Sequence, residues 1–372
     1  MNSFYRRLAT ALGITALSAI AGCASMPDGF YRQRNLVSDT AAIPAEHHDP
    51  QLVNSWGLAF NPFGVAWVAD NGTGVSTLYD GNGIKQSLVV TIPGAAPGVQ
   101  GRPTGIVFYG GPGFTVTQGT MTGPARFIFA GEDGVISAWA PNVNPTNAIR
   151  VFPPIGTSDS IYKGLALSAS GTRPLLYATD FHNNRVDVFD TNFDRVTLPG
   201  TPFRDPHLPK GFAPFGIQAI NGDLYVTYAM QDEEAEDDVP GPGLGFVSVF
   251  APNGEFQRRL ISRGQLNAPW GLAFAPESFG RFGSALLVGN FGDGRINAYD
   301  IDSGAFVGQL RGADHKPIQI DGLWGIQFGN GLQNQPTNTL FFASGPDDET
   351  HGLYGRLDVI DDHYVAATSK EK

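Results

Sequence analysis

The chain has 372 residues, a formal net charge of −11, 42% hydrophobic and 11% aromatic residues, and one cysteine. That apolar content supports a sizeable core and excludes wholesale disorder. The acidic balance repels nucleic acid and anionic lipid headgroups, and a lone cysteine excludes an intramolecular disulfide.

The first element in chain order is residues 1–22. Arg6 and Arg7 precede an apolar stretch, Leu8 to Ile20, whose thirteen residues are too few to span a bilayer comfortably. It ends in Ile20-Ala21-Gly22-Cys23, which resembles the bacterial lipobox. The resemblance implies cleavage before Cys23 and lipidation of its thiol, with diacylglycerol and an acyl chain such as palmitate. Ala24 and Ser25 follow, with no Asp beside the cysteine, which resembles the outer-membrane pattern of a Gram-negative cell envelope. Residues 23–34 are then a lipidated tether. Losing residues 1–22 removes two arginines and no acid, so the mature charge becomes −13.

Beyond residue 22 helical patterning is nearly absent. Gly 48 and Pro 27 are spread between short apolar runs, as in a chain of many strands and tight turns. Six segments repeat one pattern, typified by Ser55-Trp56-Gly57-Leu58-Ala59-Phe60 and Pro269-Trp270-Gly271-Leu272-Ala273-Phe274. Their glycines, at 57, 105, 164, 216, 271 and 325, are 48, 59, 52, 55 and 54 residues apart. That period suits a four-stranded propeller blade. Each motif leads to a second apolar run, a polar turn and a third run, as in Leu176-Tyr177-Ala178-Thr179-Asp180 and then Arg185-Val186-Asp187-Val188-Phe189-Asp190. Alternation with period two makes each run a strand. The expected fold is therefore all-β, a single six-bladed β-propeller over residues 35–365, with a C-terminal tail at 366–372.

The blocks Pro-x-Gly-[Leu/Ile]-Ala, Val-Ala-Asp and Arg-Val-x-Val-Phe-Asp resemble NHL-type propeller blades. With its opening Asn35-Leu36-Val37-Ser38-Asp39, the chain resembles an uncharacterised bacterial family of exported NHL-like propellers over about residues 35–361. That resemblance implies a fold and no agreed activity. The sixth blade exhausts the chain at its third strand, Leu357 to Ile360, so its outer strand is expected from Asn35 to Ser38. A borrowed strand closes the ring and covers a sheet edge.

Ligands of propellers gather over the central channel, and three residue groups map there. Trp56, Thr104, Lys163, Phe215, Trp270 and Trp324 precede the six glycines. The aromatics and Lys163 form either a ligand cup or packing between blades. The turn residues include Asp70, Glu132, Asp133, Asp180, His182, Asn290 and His351. Asp180, His182, Asn290 and His351 are candidate ligands for Ca²⁺ or Zn²⁺, against the ordinary role of Asp and Asn in capping turns. His47, His48 and His315 are also unexplained by the repeat, but no compact metal motif is present. The third group is the insertion Gln231 to Leu244, with six carboxylates before Pro-Gly-Pro-Gly. Such a charge run ordinarily forms a solvated, mobile loop; the alternative is a cation-attracting or partner-binding lid.

No serine nucleophile elbow, phosphate-binding glycine loop or Cys-His arrangement occurs. The sequence thus points first to a monomeric, membrane-tethered binding module for a small ligand or envelope proteins, with no nucleic acid. The second reading is a metal-assisted lyase or hydrolase, lactonase-like, working at the channel mouth. It rests on analogy with six-bladed relatives such as lactonases, streptogramin lyase and the peptide-amidating lyase, and fold does not fix function.

Overall fold

The computed structural model describes residues 29–154 and 156–360. Residues 1–28, including the signal-like segment and Cys23, and the C-terminal tail lie outside the described residues. Six antiparallel sheets follow one another around a ring. Their inner strands are Ser55–Phe60, Pro103–Phe108, Tyr162–Ser170, Phe212–Ile220, Pro269–Phe274 and Leu323–Phe328. Each begins at or beside a repeat motif. The apolar alternation forms strands because each sheet buries both faces between neighbouring blades. For example, Trp67 of blade one stacks on Phe127 of blade two at 3.9 Å.

The repeat glycines are set by close approach at the hub. A Cβ on Gly325 of blade six would lie 2.6 Å from the Trp56 carbonyl oxygen of blade one. Gly216 faces the Trp270 carbonyl of the next blade in the same way. No other residue fits between two inner strands that close.

Blade six is completed from the N-terminus. Leu353–Ile360 pairs antiparallel with Phe30–Ser38, in register from Phe30 opposite Ile360 to Ser38 opposite Leu353, with one bulge between Asn35 and Val37. The closing strand begins earlier than the sequence led us to expect: residues 30–34, read as tether, belong to the sheet. The polar run Arg32-Gln33-Arg34 hides this strand from an apolar pattern. Tyr31 anchors it, with its ring 4.6 Å from that of Phe279 and its hydroxyl donating to the Phe279 carbonyl at 3.0 Å. His47–His48 adds a short fifth strand, parallel to the first. His48 Nδ1 lies 3.0 Å from Ser38 Oγ, and His315 packs edge-on against Phe30.

Blade three departs from the expected four strands. Its sheet holds only Tyr162–Ser170, Arg173–Asp180 and Arg185–Phe189. Beyond an isolated bridge of Phe189 with Arg195, made by bonds from Val196 N to the Val188 carbonyl and from Asp190 N to the Asp194 carbonyl, the outer segment makes no ladder. Pro199, Pro202, Pro206 and Pro209 lack the N–H groups a ladder needs.

Strand direction defines two ends of the ring. Inner strands start, and second strands end, at what we call the mouth face, which therefore carries the connections between second and third strands. The far face carries the connections between first and second strands.

Candidate functional site at the channel mouth

The hub is filled with aromatic rings. Trp56 and Trp324, each 1% exposed, stack at 3.6 Å. Trp270 stands edge-on to both, at 6.1 and 5.8 Å, and Phe215 meets Trp324 at 5.8 Å. Phe181 and Phe291 complete the cluster. The four aromatics proposed as a ligand cup thus pack against one another as a plug. Beneath them the channel retains a cavity of only about 40 Å³, lined by the inner strands. Three indoles at equivalent positions of three blades meet at the axis because the repeat points them there.

Lys163 occupies the equivalent position in blade three, and its side chain turns to the mouth instead. It is 2% exposed, yet its Nζ is fully engaged: 2.5 Å from Glu132 Oε1, 2.9 Å from Asp237 Oδ1, and 5.2 Å from the Trp56 ring. Burial alone would lower the lysine pKa, but Glu132 and Asp237 outweigh it and raise it, so the ammonium stays charged. Burial likewise works against the Glu132 carboxylate, and the Lys163 and Arg102 charges overcome it and hold its pKa below the usual value. Glu132 Oε2 also accepts from Asn71 Nδ2 at 2.9 Å and pairs with Arg102 at 3.0 Å.

Asp237 comes from the acidic insertion, which is folded over the mouth. Within it Asp232 N donates to the Asp237 carbonyl at 2.9 Å, and Glu236 N donates to Asp232 Oδ1 at 2.9 Å. Gln231 Nε2 donates to the Phe181 carbonyl at 2.7 Å, His182 Nδ1 lies 3.2 Å from the Ala235 carbonyl, and Gly241 N donates to Asn267 Oδ1 at 2.6 Å. The lid alternative therefore describes its geometry, although Asp237 itself remains 72% exposed. Next to it, burial pushes the Asp238 carboxyl up to about 7, against the lowering influence of Lys163, and its Oδ2 has no hydrogen-bond partner among the described residues. Burial also raises Glu349, which accepts from Asn54 Nδ2 at 2.6 Å. Asn54 Oδ1 in turn accepts from Trp56 Nε1 at 2.9 Å, and Trp270 Nε1 donates to the Lys163 carbonyl at 3.0 Å. One polar network thus joins plug, lysine and lid, drawing on all six blades. Sequence reasoning missed Glu349 and Asn54. Glu349 sits in the same turn as Asp347 and Asp348, and that adjacency was the available signal.

The four metal candidates are not brought together. Asp180 binds its own turn, accepting from Asn183 Nδ2 at 2.9 Å, and pairs with Arg185 at 2.9 Å. Asn290 donates to the Gln265 carbonyl and to Asp293, at 2.8 and 3.0 Å. His182 holds the lid, and His351 Nδ1 lies 2.8 Å from Asp39, pinning the closing strand to blade six. The Asp39 hydrogen bond raises the His351 pKa. No group of three or more His, Cys, Asp or Glu side chains that suits a metal ion occurs among the described residues.

No family model matches the chain. The soluble aldose sugar dehydrogenase of Escherichia coli aligns over 88% of this chain and 99% of its own, with a TM-score of 0.52 and 12% identity. A catalytically inactive virginiamycin B lyase of Staphylococcus aureus aligns over 90% and 100%, with a TM-score of 0.50 and 14% identity. At such identities the likeness shows the propeller fold alone. In sequence, an uncharacterised protein of Acanthamoeba polyphaga mimivirus is 35% identical over 320 residues, 84% of this chain and 76% of its own length. A second protein of the same virus is 34% identical over 329 residues, 87% and 84% respectively. These relatives are viral, where the repeat blocks had suggested a bacterial family. The chain is a six-bladed β-propeller that belongs to the same family as these two mimivirus proteins.

Proposed function

We propose that the protein is an exported, lipid-anchored binding propeller that takes up cationic ligands, or basic segments of envelope proteins, at the mouth of its channel. The observation that supports this reading is the network around Lys163. Four carboxylates, Glu132, Asp237, Asp238 and Glu349, surround one buried ammonium, and Asp238 Oδ2 is left without a partner among the described residues. A ligand ammonium or guanidinium entering beside Lys163 gains charge-assisted hydrogen bonds from the surplus oxygens, Asp238 contributing its charge as pH rises through about 7. The anchor is supported by the order of basic residues, apolar stretch, small residues and Cys23. It implies a site on the cell envelope, at the outer membrane if the host is Gram-negative. We place binding ahead of metal-assisted lyase or hydrolase chemistry because the described residues gather no ligand set for Ca²⁺ or Zn²⁺.

Calorimetric titration of the purified chain with spermidine and with a lysine-rich peptide tests the reading. Binding is expected, weakening several-fold between about 50 and about 200 mM salt as screening grows. Glu349→Gln and Asp238→Asn should each weaken it further. Absence of binding at low salt, or binding that neither substitution alters, counts against it. Titrating Ca²⁺ and Zn²⁺ in the same cell tests the alternative, which a stoichiometric metal with induced hydrolytic activity would restore.

A further inference from the structure

The two faces of the ring differ sharply in charge and in exposed apolar surface. The six connections between second and third strands, on the mouth face, contain twelve carboxylates: two in blade two, six in blade four, one in blade five and three in blade six. Against them stands one arginine, Arg295. The six connections between first and second strands, on the far face, contain Glu277, Arg126 and Arg281 and no other charge. The connections from third to outer strands, also on the far face, add five carboxylates and two bases, among them Asp80, Lys85, Asp190 and Arg195, so this face has six acids against four bases. A chain too acidic on average for a membrane surface thus has one face on which charge is nearly balanced.

Exposed apolar side chains follow the opposite distribution. Of the nine large hydrophobic residues exposed among the described residues, seven lie at far-face turns or strand ends. Phe63, 84% exposed, and Leu332 sit in first-to-second connections, and Met121 tips a hairpin inserted into another. Ile84 lies in the third-to-outer turn of blade one, and Phe274, Phe306 and Val307 lie at or beside strand ends of blade five. Beside Phe63 opens a groove of about 550 Å³, lined mainly by apolar and aromatic side chains with Arg126 among them. Single exposed hydrophobics need no explanation, but seven on one face whose charges nearly balance do.

The chain outside the structure leaves from the same face. Phe30–Ser38 runs antiparallel to Leu353–Ile360, a third strand that descends from the mouth, so Phe30 lies at the far end. Gly29 accordingly rests against Arg281, in the first-to-second connection of blade five. Cys23 is six residues from Gly29, a reach of roughly 20 Å at full extension.

We infer that the far face is a membrane-docking surface, which lies on the bilayer with Phe63, Met121 and Leu332 at the interface and turns the acidic mouth outward. The partner is a lipid surface, taken up through apolar contact with little electrostatic help. The short reach from Cys23 rests on the proposed lipid anchor; the charge and apolar asymmetry does not.

Single cysteines introduced by Phe63→Cys, Leu332→Cys and Asp348→Cys and labelled with an environment-sensitive fluorophore test the inference. The lipidated chain is placed in vesicles of phosphatidylethanolamine and phosphatidylglycerol containing a nitroxide-labelled lipid. Labels at 63 and 332 should be quenched at least several-fold more than the label at 348. Equal quenching, or stronger quenching at 348, in a chain that sediments with the vesicles overturns the docking face and leaves the anchor standing. The anchor is read separately, by the mass of the N-terminal peptide. If Cys23 carries no lipid, the anchor fails, and the Cys23→Ser chain mixed with the same vesicles decides the face. Preferential quenching at 63 and 332 then upholds it, and its absence overturns it.

Discussion

The plug and the lid sit one above the other on the ring axis and are built on different principles. The plug uses repeat positions: Trp56, Trp270 and Trp324 follow the same register in three blades and meet by symmetry. The lid uses a segment found in one blade only, held by Asp237, Ala235, Gln231 and Gly241 to partners in blades three and five. The plug gains stability from buried aromatic area, which is insensitive to salt and pH. The lid depends on a few charges and single hydrogen bonds, and segments of that kind open first. Lys163 belongs to both, by its backbone to the plug and by its ammonium to the lid.

Substitutions in the plug should have the largest effect. Trp324→Ala opens a cavity at the axis and should cost about 3–5 kcal/mol in denaturant unfolding. Trp324→Phe should cost much less, because the Trp324 Nε1 has no partner among the described residues. Trp56→Phe leaves Asn54 without its donor and should cost about 1–2 kcal/mol. Equal losses for the two Phe variants would break the distinction drawn between them.

At the shared residue, Lys163→Met leaves Glu132 buried without its ammonium, at a cost of about 3 kcal/mol. Adding Glu132→Gln should restore most of that stability, since the uncompensated charge is then gone. A double variant as unstable as the single one would mean that packing, not charge, sets the cost.

Smaller effects are expected in the lid. Its carboxyl Asp238 is pushed up to about 7 by burial, from an ordinary value of 3.8. The folded chain therefore holds a proton that the unfolded chain has released. The closed lid has that support in full only below about 4 and loses it as pH rises through about 7. Protection factors of residues 231–245, taken against the intrinsic exchange rate at each pH, should fall across that range, and Asp238→Asn should flatten the response. Smallest in global terms is Asp237→Asn, at about 1 kcal/mol or less for so exposed a partner. Its signature should be faster exchange in the lid at an unchanged melting temperature.

The positions that build the plug were legible in the sequence, and the contacts that hold the lid were not, for a physical reason. Periodic glycines and alternating strands carry their own geometry, so blade count, inner strands and closure by the N-terminal segment could all be read from one repeat. The aromatic positions were also visible, though the sequence alone left cup and packing open as alternatives. Asp237 and Lys163 are 74 positions apart, one in a connection and the other in an inner strand. No period relates them, and only the folded ring brings them together. The early start of the closing strand was hidden by Arg32-Gln33-Arg34, whose side chains lie on a sheet edge. Blade three differs again, because its missing outer strand is written in composition rather than in period. Four prolines within eleven residues remove the donors that a fourth ladder requires.

Closing the sixth blade with Phe30–Ser38 has a consequence for the order in which the molecule is made. The first strand described has as its main sheet partner Leu353–Ile360, the last strand described, more than three hundred residues later. Until that partner exists the first strand has only the short His47–His48 pairing beside it, and closing so long a loop carries an entropic penalty. Five blades can assemble while the chain grows, but the ring stays open until residues 353–360 have been made. An N-terminus fixed to a surface by then would have the ring close against that surface, so that the last folding event and the first moment of attachment involve the same nine residues.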